Sequence, residues 1–305
     1  MINYIKVKIR KSIEGHKLED PEVLQSVNSI FRRKRGYVFR MPKKGSKVIS
    51  LMSGGLDTTV VTALLLDKYQ FEVYPIHFIR TLPAANPKSM ARSVDFFSDL
   101  FKKKYGSRFH DVIKLPLQFP AKKTETAILS VGQVILNNKT GQRKGIPFQP
   151  SAFAHEIVNY IYTLNLKEQK AIRTIFAATL VSNTNWFAYE TLTAYRVLNL
   201  EVCTMLSDFS WQITAFPIER ELGWCMDKQD LIREGIRLNL PLEHTFTCQK
   251  DFRYQCGRCI VCIQRRIGFK EAGINDKTIY ESSRTDTIGK LKRKYFFLGK
   301  ILKKL

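Results

Sequence analysis

The sequence contains no apolar run that approaches the ~18 residues needed to cross a membrane, and its first residues, MINYIKVKIRKS, include no apolar core of a secretory signal. The two commonest nucleotide-binding loops, G-x-x-x-x-G-K-S/T and G-x-G-x-x-G, are also missing. These absences predict a cytoplasmic protein without membrane contact that uses neither of those loops.

Acidic residues are scarce, because 27 Asp and Glu stand against 50 Lys and Arg, which gives a formal net charge of +23. The excess is concentrated at the ends: residues 1–46 hold 12 basic and 4 acidic residues, and residues 284–305 hold 8 basic and 1 acidic residue. Basic ends favour a polyanionic partner, either nucleic acid or an acidic protein face. A solubilising surface without a partner would have the same composition, so that alternative stays open.

The hydrophobic pattern predicts an α/β fold. Residues 48–52 (VISLM) predict a buried strand, residues 58–69 (TTVVTALLLDKY) a helix and residues 71–79 (FEVYPIHFI) a second strand. This order forms a βαβ unit, which predicts a parallel sheet. Further predicted elements are helices at 93–105, 152–165 and 227–240 and strands at 173–181 and 210–217.

Composition also predicts the domain organisation. We expect an N-terminal basic extension over residues 1–46, in which IKVKI forms a strand and residues 31–46 form a linker or a flap. The main domain is predicted over residues 47–240, and a cysteine-containing module with a basic tail over residues 241–305. Within the main domain, residues 121–150 are polar and irregular, which predicts an insertion or a mobile loop.

The stretch VISLMSGGLDT (48–58) places two glycines and an aspartate directly behind the first predicted strand. The next helix exposes unpaired N–H groups and partial positive charge at its start, and glycine lets the backbone approach an anion. The loop therefore predicts a phosphate site, and a purely structural turn between strand and helix is the alternative. Asp57 would repel a bare phosphate, so we expect it to act through Mg²⁺ or to cap local N–H groups. The expected cofactor-binding residues are Ser53, Gly54, Gly55, Leu56, Asp57 and Thr58.

Four of the six cysteines are spaced C-x7-C-x2-C-x2-C near the C-terminal end. Gaps of two residues let the sulfurs of one turn converge on a single ion, and four thiolates suit tetrahedral Zn²⁺. An iron–sulfur cluster is one alternative, because C-x2-C-x2-C also occurs in ferredoxins, and four unliganded thiols are another. The expected metal ligands are Cys248, Cys256, Cys259 and Cys262.

Two motifs resemble those of known enzymes. SGGLDT resembles the PP-loop of the ATP pyrophosphatase superfamily, S-G-G-x-D-S/T, whose members cleave ATP to AMP and pyrophosphate. The segment 239–275 resembles the C-terminal module of the 7-cyano-7-deazaguanine synthase (QueC) family, with the pattern P-L-x-x-T-x-S-C, then C-G-x-C-x-x-C-x-x-R, then G-F-x-x-A-G. The matching residues are Pro241, Leu242, Thr245, Cys248, Cys256, Gly257, Cys259, Cys262, Arg265, Gly268, Phe269, Ala272 and Gly273.

This resemblance implies a doubly wound parallel sheet of the PP-loop (adenine-nucleotide alpha-hydrolase-like) type with a structural zinc module. It implies ATP, Mg²⁺ and Zn²⁺ as cofactors. The implied reaction adenylates a carboxylate, 7-carboxy-7-deazaguanine or a related acid, and joins it to ammonia or an amine, giving an amide or a nitrile. MDKQDLI (226–232) resembles the family's K-x-E-I/L stretch, which implies catalytic roles for Lys228 and Asp57 and makes Asp230 a positioning partner or a helix-start acid.

Three stretches depart from the family pattern: HFIRTLPAANPKS (77–89), PFQP (147–150) and SNTNW (182–186). In the family, these positions contribute to substrate and nucleotide recognition. We therefore expect ATP machinery of the family type beside an altered deazaguanine pocket. The identity of the carboxylate is left open by this difference.

Two other functions stay open. A PP-loop enzyme that transfers sulfur or an amine onto a tRNA base would suit the positive charge and would use a reactive cysteine, for which Cys203 and Cys225 are the candidates outside the cluster. A non-catalytic, zinc-containing scaffold that binds nucleic acid is the other. QueC-like proteins also occur in bacterial antiviral gene clusters, and the resemblance therefore associates the chain with antiviral defence. The oligomeric state stays open, and a homodimer is one alternative.

Overall fold

Five parallel strands form the main sheet, in the order β3-β2-β1-β6-β7. The computed structural model describes residues 18–80, 88–124, 127, 135–136, 143–144, 148–168, 172–185, 187–248 and 254–281. The strands of the main sheet are β1 (Lys47–Leu51), β2 (Glu72–Arg80), β3 (Ile113–Leu117), β6 (Thr174–Ala177) and β7 (Gln212–Ala215). The helices around it are α1 (Pro21–Arg35), α2 (Leu56–Asp67), α3 (Lys88–Tyr105), α4 (Gln149–Glu168), α5 (Leu192–Met205), α6 (Lys228–Arg237) and α7 (Ile260–Ala272). Across these described ranges, no helix combines the length and the apolar character that a membrane span requires.

The strand order reverses beside β1. From β1 the chain continues through β2 to β3 on one side, and it then returns to β6 on the other side of β1. Because the strands are parallel, their carboxyl ends meet at one edge of the sheet. The reversal opens a crevice there between β1 and β6, which is where open α/β sheets bind ligands. The predicted βαβ unit is confirmed by β1, α2 and β2.

Neighbouring apolar residues on each strand point to opposite faces of the sheet. On β1, Ile49 packs in the core that also contains residues of α1, α4 and α5, whereas Val48 packs in the core with residues of α2, α3, α6 and α7. On β6, Ile175 packs in the same core as Ile49, and Phe176 packs in the same core as Val48. Helices therefore cover both faces, which explains why the strands are continuous apolar runs in the sequence. The predicted doubly wound α/β fold is confirmed.

Residues Pro21–Arg35 form helix α1 and pack into this core, so the interpretation of residues 31–46 as a linker or flap was wrong for Phe31 to Arg35. Asp20 caps α1 by accepting a hydrogen bond from Val23 N–H at 3.0 Å, and Pro21 occupies the first helical position. Phe31 is fully buried in the core shared with β1 and β6. The basic run FRRKR hid the apolar face of α1 in the sequence. The predicted strand IKVKI lies outside the described residues.

Arg35 shows that part of the basic charge of this segment is structural. Its guanidinium donates to the carbonyl oxygens of Tyr37 at 3.2 Å, Phe209 at 3.0 Å and Trp211 at 2.7 Å, and also to that of Val38. Burial lowers the pKa of Arg35. Arg35 thus connects α1 to the start of β7, and its guanidinium donates its hydrogen bonds within the fold. The domain boundaries and the polyanionic partner stay predictions.

The remaining elements refine the sequence-based expectations. The edge strand β3 was not predicted, because Lys114 and Pro116 interrupt its apolar pattern. The predicted insertion at 121–150 includes a short antiparallel pair, and α4 begins at Gln149 instead of residue 152. The members of that pair are β4 (Ile135–Leu136) and β5 (Arg143–Lys144). The other predicted helices and strands are confirmed within α3, α6, β6 and β7.

A fully buried ion pair joins α5 to the segment after β7. The guanidinium of Arg196 binds both carboxylate oxygens of Glu219, whose side chains are 2% and 0% exposed, and the hydroxyl of Thr214 donates to the same carboxylate. Asn28 of α1 accepts a further hydrogen bond from Arg196 at 3.3 Å. The pair therefore connects three elements inside one core.

Replacing Arg196 with methionine should lower the free energy of unfolding by roughly 3–5 kcal/mol, because the carboxylate of Glu219 would stay buried without its partner. Denaturant titration measures this loss. The matched control is Arg237→Met, which breaks an exposed pair with Glu234 and should cost about 0–1 kcal/mol. Equal losses in the two variants would contradict the prediction.

Candidate active site and metal centre

The glycine loop connects the end of β1 to the start of α2. Ser53 Oγ lies 3.0 Å from Thr58 Oγ1 and accepts a hydrogen bond from Gly55 N–H at 3.2 Å, and Ser53 N–H donates to Thr58 Oγ1 at 3.1 Å. Gly55 is the N-cap of α2, and it offers no side chain to the first N–H groups of the helix. The start of α2 therefore presents partial positive charge and N–H donors at the loop.

Gly54 occupies a position that no other residue would fill without strain. Its φ of +77° lies in the left-handed region, and an added Cβ would lie 2.5 Å from the carbonyl oxygen of Met90. The carbonyl oxygen of Gly54 accepts hydrogen bonds from Ser93 Oγ at 2.7 Å and from Phe246 N–H at 2.8 Å. The loop is therefore held between α3 and the segment that leads to the cysteine cluster.

The two residues predicted to be catalytic lie against each other. Lys228 Nζ lies 2.6 Å from each carboxylate oxygen of Asp57, and both side chains are largely but not completely buried. Lys228 is the first residue of α6, whose start is fixed by a capping box between Asp227 and Asp230. Asp230 thus has the position of a helix-start acid.

Gly268 of α7 lets the stem of Lys228 lie close to that helix. A Cβ at Gly268 would lie 2.3 Å from Lys228 Cγ and 3.0 Å from Lys228 Cβ. The sequence therefore requires glycine at position 268 for steric reasons, because a larger residue would push the side chain of Lys228 away from Asp57.

A cavity of about 400 Å³ lies at the carboxyl ends of β1 and β6, where the strand order reverses. The glycine loop forms one part of its wall through Ser53, Gly55, Asp57 and Thr58. Gly54 and Leu56 do not line it: Leu56 is fully buried in the core, and the Gly54 carbonyl is bonded to α3. Residues from the stretches that depart from the family pattern line the cavity as well, namely His77, Phe78, Gln149, Pro150 and Asn183.

Glu190 lines the cavity and was not predicted from the sequence. It ends a short helical turn (Ala188–Glu190) just before α5, and Asn183 donates a hydrogen bond to its side chain. Burial raises the pKa of Glu190 to about 7, and the negative charge of Asp57 adds to this shift. An isolated acid in an irregular segment gives no sequence signal, although SNTNW (182–186) points to the same neighbourhood.

The four clustered cysteines bring their sulfurs within 4.8 Å of one another, so they could hold a metal ion. Two Sγ–Sγ pairs, Cys248 with Cys259 and Cys256 with Cys262, lie 3.9 Å apart. Four sulfurs placed 2.3 Å from one tetrahedral zinc ion would be separated by about 3.8 Å. The backbone N–H groups of Cys256 and Cys259 also donate to sulfurs of the cluster, at 3.4 and 3.3 Å. The spacing therefore fits a single ion.

Arg265 of α7 connects this cluster to the segment that holds the glycine loop. Its buried guanidinium donates to the hydroxyl of Thr245 at 2.7 Å, the carbonyl oxygen of Leu242 at 2.7 Å and the hydroxyl of Thr278 at 2.8 Å. The residue after Thr245 is Phe246, whose N–H bonds to the loop. The cysteine module and the loop thus share one hydrogen-bonded framework.

Curated relatives match a short part of the chain. One is the 7-cyano-7-deazaguanine synthase of Chelativorans sp. (strain BNC1), 38% identical over 58 residues. Another is 7-cyano-7-deazaguanine synthase 1 of Mesorhizobium japonicum, 43% identical over 58 residues. In both cases the match covers 19% of this chain, and the chain spans a quarter (25%) of the length of the curated relative.

Among solved structures, the chain is similar to the U34-tRNA thiolase NcsA from Methanococcus maripaludis with its 4Fe–4S cluster. The TM-score is 0.33 at 12% identity, and the alignment covers 81% of this chain and 70% of that chain. A similarity this low carries no further argument.

The sequence model described as "Queuosine biosynthesis protein QueC" matches residues 47–273, which run from the first residue of β1 to the glycine that ends α7. The match includes the glycine loop, Lys228 and all four clustered cysteines. It extends over about three quarters of the chain. The chain therefore belongs to the QueC family.

Proposed function

We propose that this protein is an ATP-dependent enzyme that adenylates a carboxylate, 7-carboxy-7-deazaguanine or a related acid, and joins it to ammonia or an amine. The observation that carries the proposal is the glycine loop. It places the uncapped start of α2 at the strand-order reversal, on the wall of a cavity that also contains Asp57. Membership of the QueC family supports the same chemistry.

The proposed reaction proceeds through an acyl adenylate. A carboxylate oxygen of the substrate attacks the α-phosphorus of ATP, and pyrophosphate leaves. Ammonia then attacks the acyl carbon and loses a proton, and AMP leaves with the bonding electrons to give the amide. In nitrile formation the amide oxygen attacks the α-phosphorus of a second ATP, pyrophosphate leaves, and loss of AMP and of both protons on the amide nitrogen gives the C≡N bond. The protein's part is to position the reactants and to offset phosphate charge.

Lys228 and Asp57 have distinct parts in this proposal. The ammonium of Lys228 lies at the start of α2 and would stabilise the negative charge that develops on the leaving pyrophosphate. Asp57 holds this ammonium in place and is the carboxylate that would also hold Mg²⁺, which offsets phosphate charge when bound. The hydroxyl groups of Ser53 and Thr58 and the first N–H groups of α2 would donate hydrogen bonds to the phosphate oxygens of ATP.

We propose Zn²⁺ as the ion of the cysteine cluster. The 3.9 Å sulfur separations match those expected around one tetrahedral ion. An iron–sulfur cluster distributes its thiolates over several iron atoms, which separates the sulfurs further. The ion has a structural part, because α7 and the segment from Thr245 to Phe246 both pack at the cluster.

Sulfur transfer onto a tRNA base through Cys203 is poorly supported by the geometry. Cys203 is fully buried, and burial raises its pKa to about 11, which disfavours the reactive thiolate. Its thiol contacts the carbonyl oxygen of Trp211 in the core. The alternative of a non-catalytic scaffold that binds nucleic acid would not explain why Lys228 and Asp57 lie together at the glycine loop. The polyanionic partner, the homodimer, the cytoplasmic location and the link to antiviral defence stay predictions.

The proposal predicts substrate-dependent release of AMP and pyrophosphate when the protein is incubated with ATP, Mg²⁺, ammonia and 7-carboxy-7-deazaguanine. Mass spectrometry of the products identifies the amide or the nitrile. Asp57→Asn should slow the release at least about a hundredfold, because Lys228 loses its partner and the metal its carboxylate. Asp111→Asn is the matched control, because Asp111 is an exposed partner of another lysine. ATP binding without acid-dependent AMP release would reject this class of substrate.

A further inference from the structure

Two buried acceptor atoms without hydrogen-bond partners line the cavity, as judged from the described part of the chain: Glu190 Oε2 and His77 Nε2. His77 Nδ1 lies 3.0 Å from the carbonyl oxygen of Met52, so it carries the proton that it donates. Burial lowers the pKa of His77, which keeps the ring neutral and leaves Nε2 as an acceptor. Above a pH of about 7, where Glu190 is ionised, a ligand in this cavity would therefore meet acceptors and would have to supply N–H or O–H donors.

The unpartnered oxygen of Glu190 is costly unless a ligand uses it. Buried polar atoms in native proteins are nearly always hydrogen-bonded, and a buried carboxylate oxygen without a donor loses its hydration. The side-chain hydrogen bond from Asn183 fixes the carboxyl group but leaves Oε2 without a donor. The short turn at Ala188–Glu190 is in turn fixed to α5, whose first N–H groups donate to Glu19 at 2.7 and 3.0 Å. The acceptor is therefore built into a rigid part of the wall.

The rest of the cavity wall suits a flat ring. Phe78 and Phe153 lie on the wall and stack on each other with ring centroids 4.7 Å apart and planes 15° from parallel. Leu51 and Ile175 add apolar surface at the carboxyl ends of β1 and β6. Aromatic and aliphatic surfaces bury the faces of a planar heterocycle, and polar groups at the edge select it.

We propose that Glu190 is the specificity-determining residue of this cavity and recognises a planar nitrogen heterocycle by accepting hydrogen bonds from an adjacent ring N–H and exocyclic amino group. A carboxylate is matched to such a pair of neighbouring donors because it offers two oxygens side by side. The assignment rests on the proposed function, since it places the heterocycle of the acid substrate in the cavity that the glycine loop lines. Asp57 and Glu190 both face this cavity, so a ring held at Glu190 shares the space with the site proposed for ATP.

The test measures ligand binding without ATP, by calorimetry, at a pH well above the pKa of about 7 of Glu190, for two probes: 7-carboxy-7-deazaguanine and its analogue without the 2-amino group. The wild-type protein should bind the first about ten- to hundredfold more tightly, because the analogue leaves the buried oxygen unpaired. Glu190→Gln keeps the shape but replaces an acceptor by a donor. It should weaken binding of the first probe by a similar factor and bring the two affinities close together.

Glu221→Gln is the matched control, because Glu221 is an exposed acid that does not line the cavity, and both affinities should stay at the wild-type values. Thermal melting of each variant checks that the fold is intact. If Glu190→Gln does not fold, the difference between the affinities of the wild-type protein for the two probes still tests the inference. Equal affinities in the wild-type protein, or an unchanged preference in Glu190→Gln, would overturn the inference. Selective binding without AMP release would instead leave the assignment of Glu190 standing and reject the proposed reaction.

Discussion

Replacing Cys256 with serine should release the metal and unfold the cysteine module. A serine hydroxyl is a poor substitute for a thiolate, and a structural zinc site contributes roughly 10 kcal/mol to folding in small zinc modules. Phe246 N–H donates to the carbonyl oxygen of Gly54, so the glycine loop should lose one of its two anchors as well. We therefore expect loss of both the metal and ATP binding.

Metal content by elemental mass spectrometry and amide hydrogen exchange of residues 242–248 and 254–272 measure this result. Cys225→Ser is the matched control, because Cys225 lies outside the cluster and is only half-buried. The absorption spectrum of the purified protein identifies the ion: zinc gives none in the visible range, and an iron–sulfur cluster gives a brown colour. An unchanged metal content in Cys256→Ser would contradict the assignment of this ligand.

Replacing Lys228 with methionine should lower kcat for pyrophosphate release by about 10²–10³-fold, because in the proposed site the leaving pyrophosphate would lose the ammonium that offsets its charge. The fold should remain, since the capping box of Asp227 and Asp230 at the start of α6 does not involve the lysine side chain. Lys102→Met is the matched control, because Lys102 is an exposed partner of Asp111. Initial rates of pyrophosphate release measure the effect.

Gly268→Ala tests the same lysine without removing its charge. The new Cβ would lie 2.3 Å from Lys228 Cγ, so the ammonium must move away from Asp57. Alanine is the better helix former by about 1 kcal/mol, so a loss of activity should not come from a weaker helix α7. Full activity in both Lys228→Met and Gly268→Ala would show that the position of this ammonium does not matter.

The parts of the candidate site that can be predicted from the sequence are those that depend on local pattern. The loop SGGLDT follows a short apolar strand and precedes a helix, and each of these features is contained in neighbouring residues. The cysteine cluster is equally local. In contrast, Glu190 and His77 could not be found from local pattern. Chain segments over a hundred residues apart enclose one cavity, and the residues that the structure describes supply no donor to two acceptor atoms there.

Two of the elements that the sequence did not reveal, β3 and α1, had conflicting local signals. In β3, Lys114 and Pro116 break the apolar run, which an edge strand tolerates because one of its sides pairs with no other strand. In α1, the start signal Asp20-Pro21 and the apolar spacing were present, but the basic run from Arg32 to Arg35 indicated a solvated linker. Only the tertiary structure shows that Phe31 and Arg35 point into the protein.

Helix α1 also has an evolutionary consequence. It lies outside the part of the chain that matches the QueC family, yet it covers a core that includes residues of β1, β6, α4 and α5. Once such a cover is present, apolar residues beneath it are no longer selected against for exposure to water. Trp211 and Val202, which belong to this core, would then require the helix to remain. A segment outside the part that matches the family can in this way become obligatory for the fold.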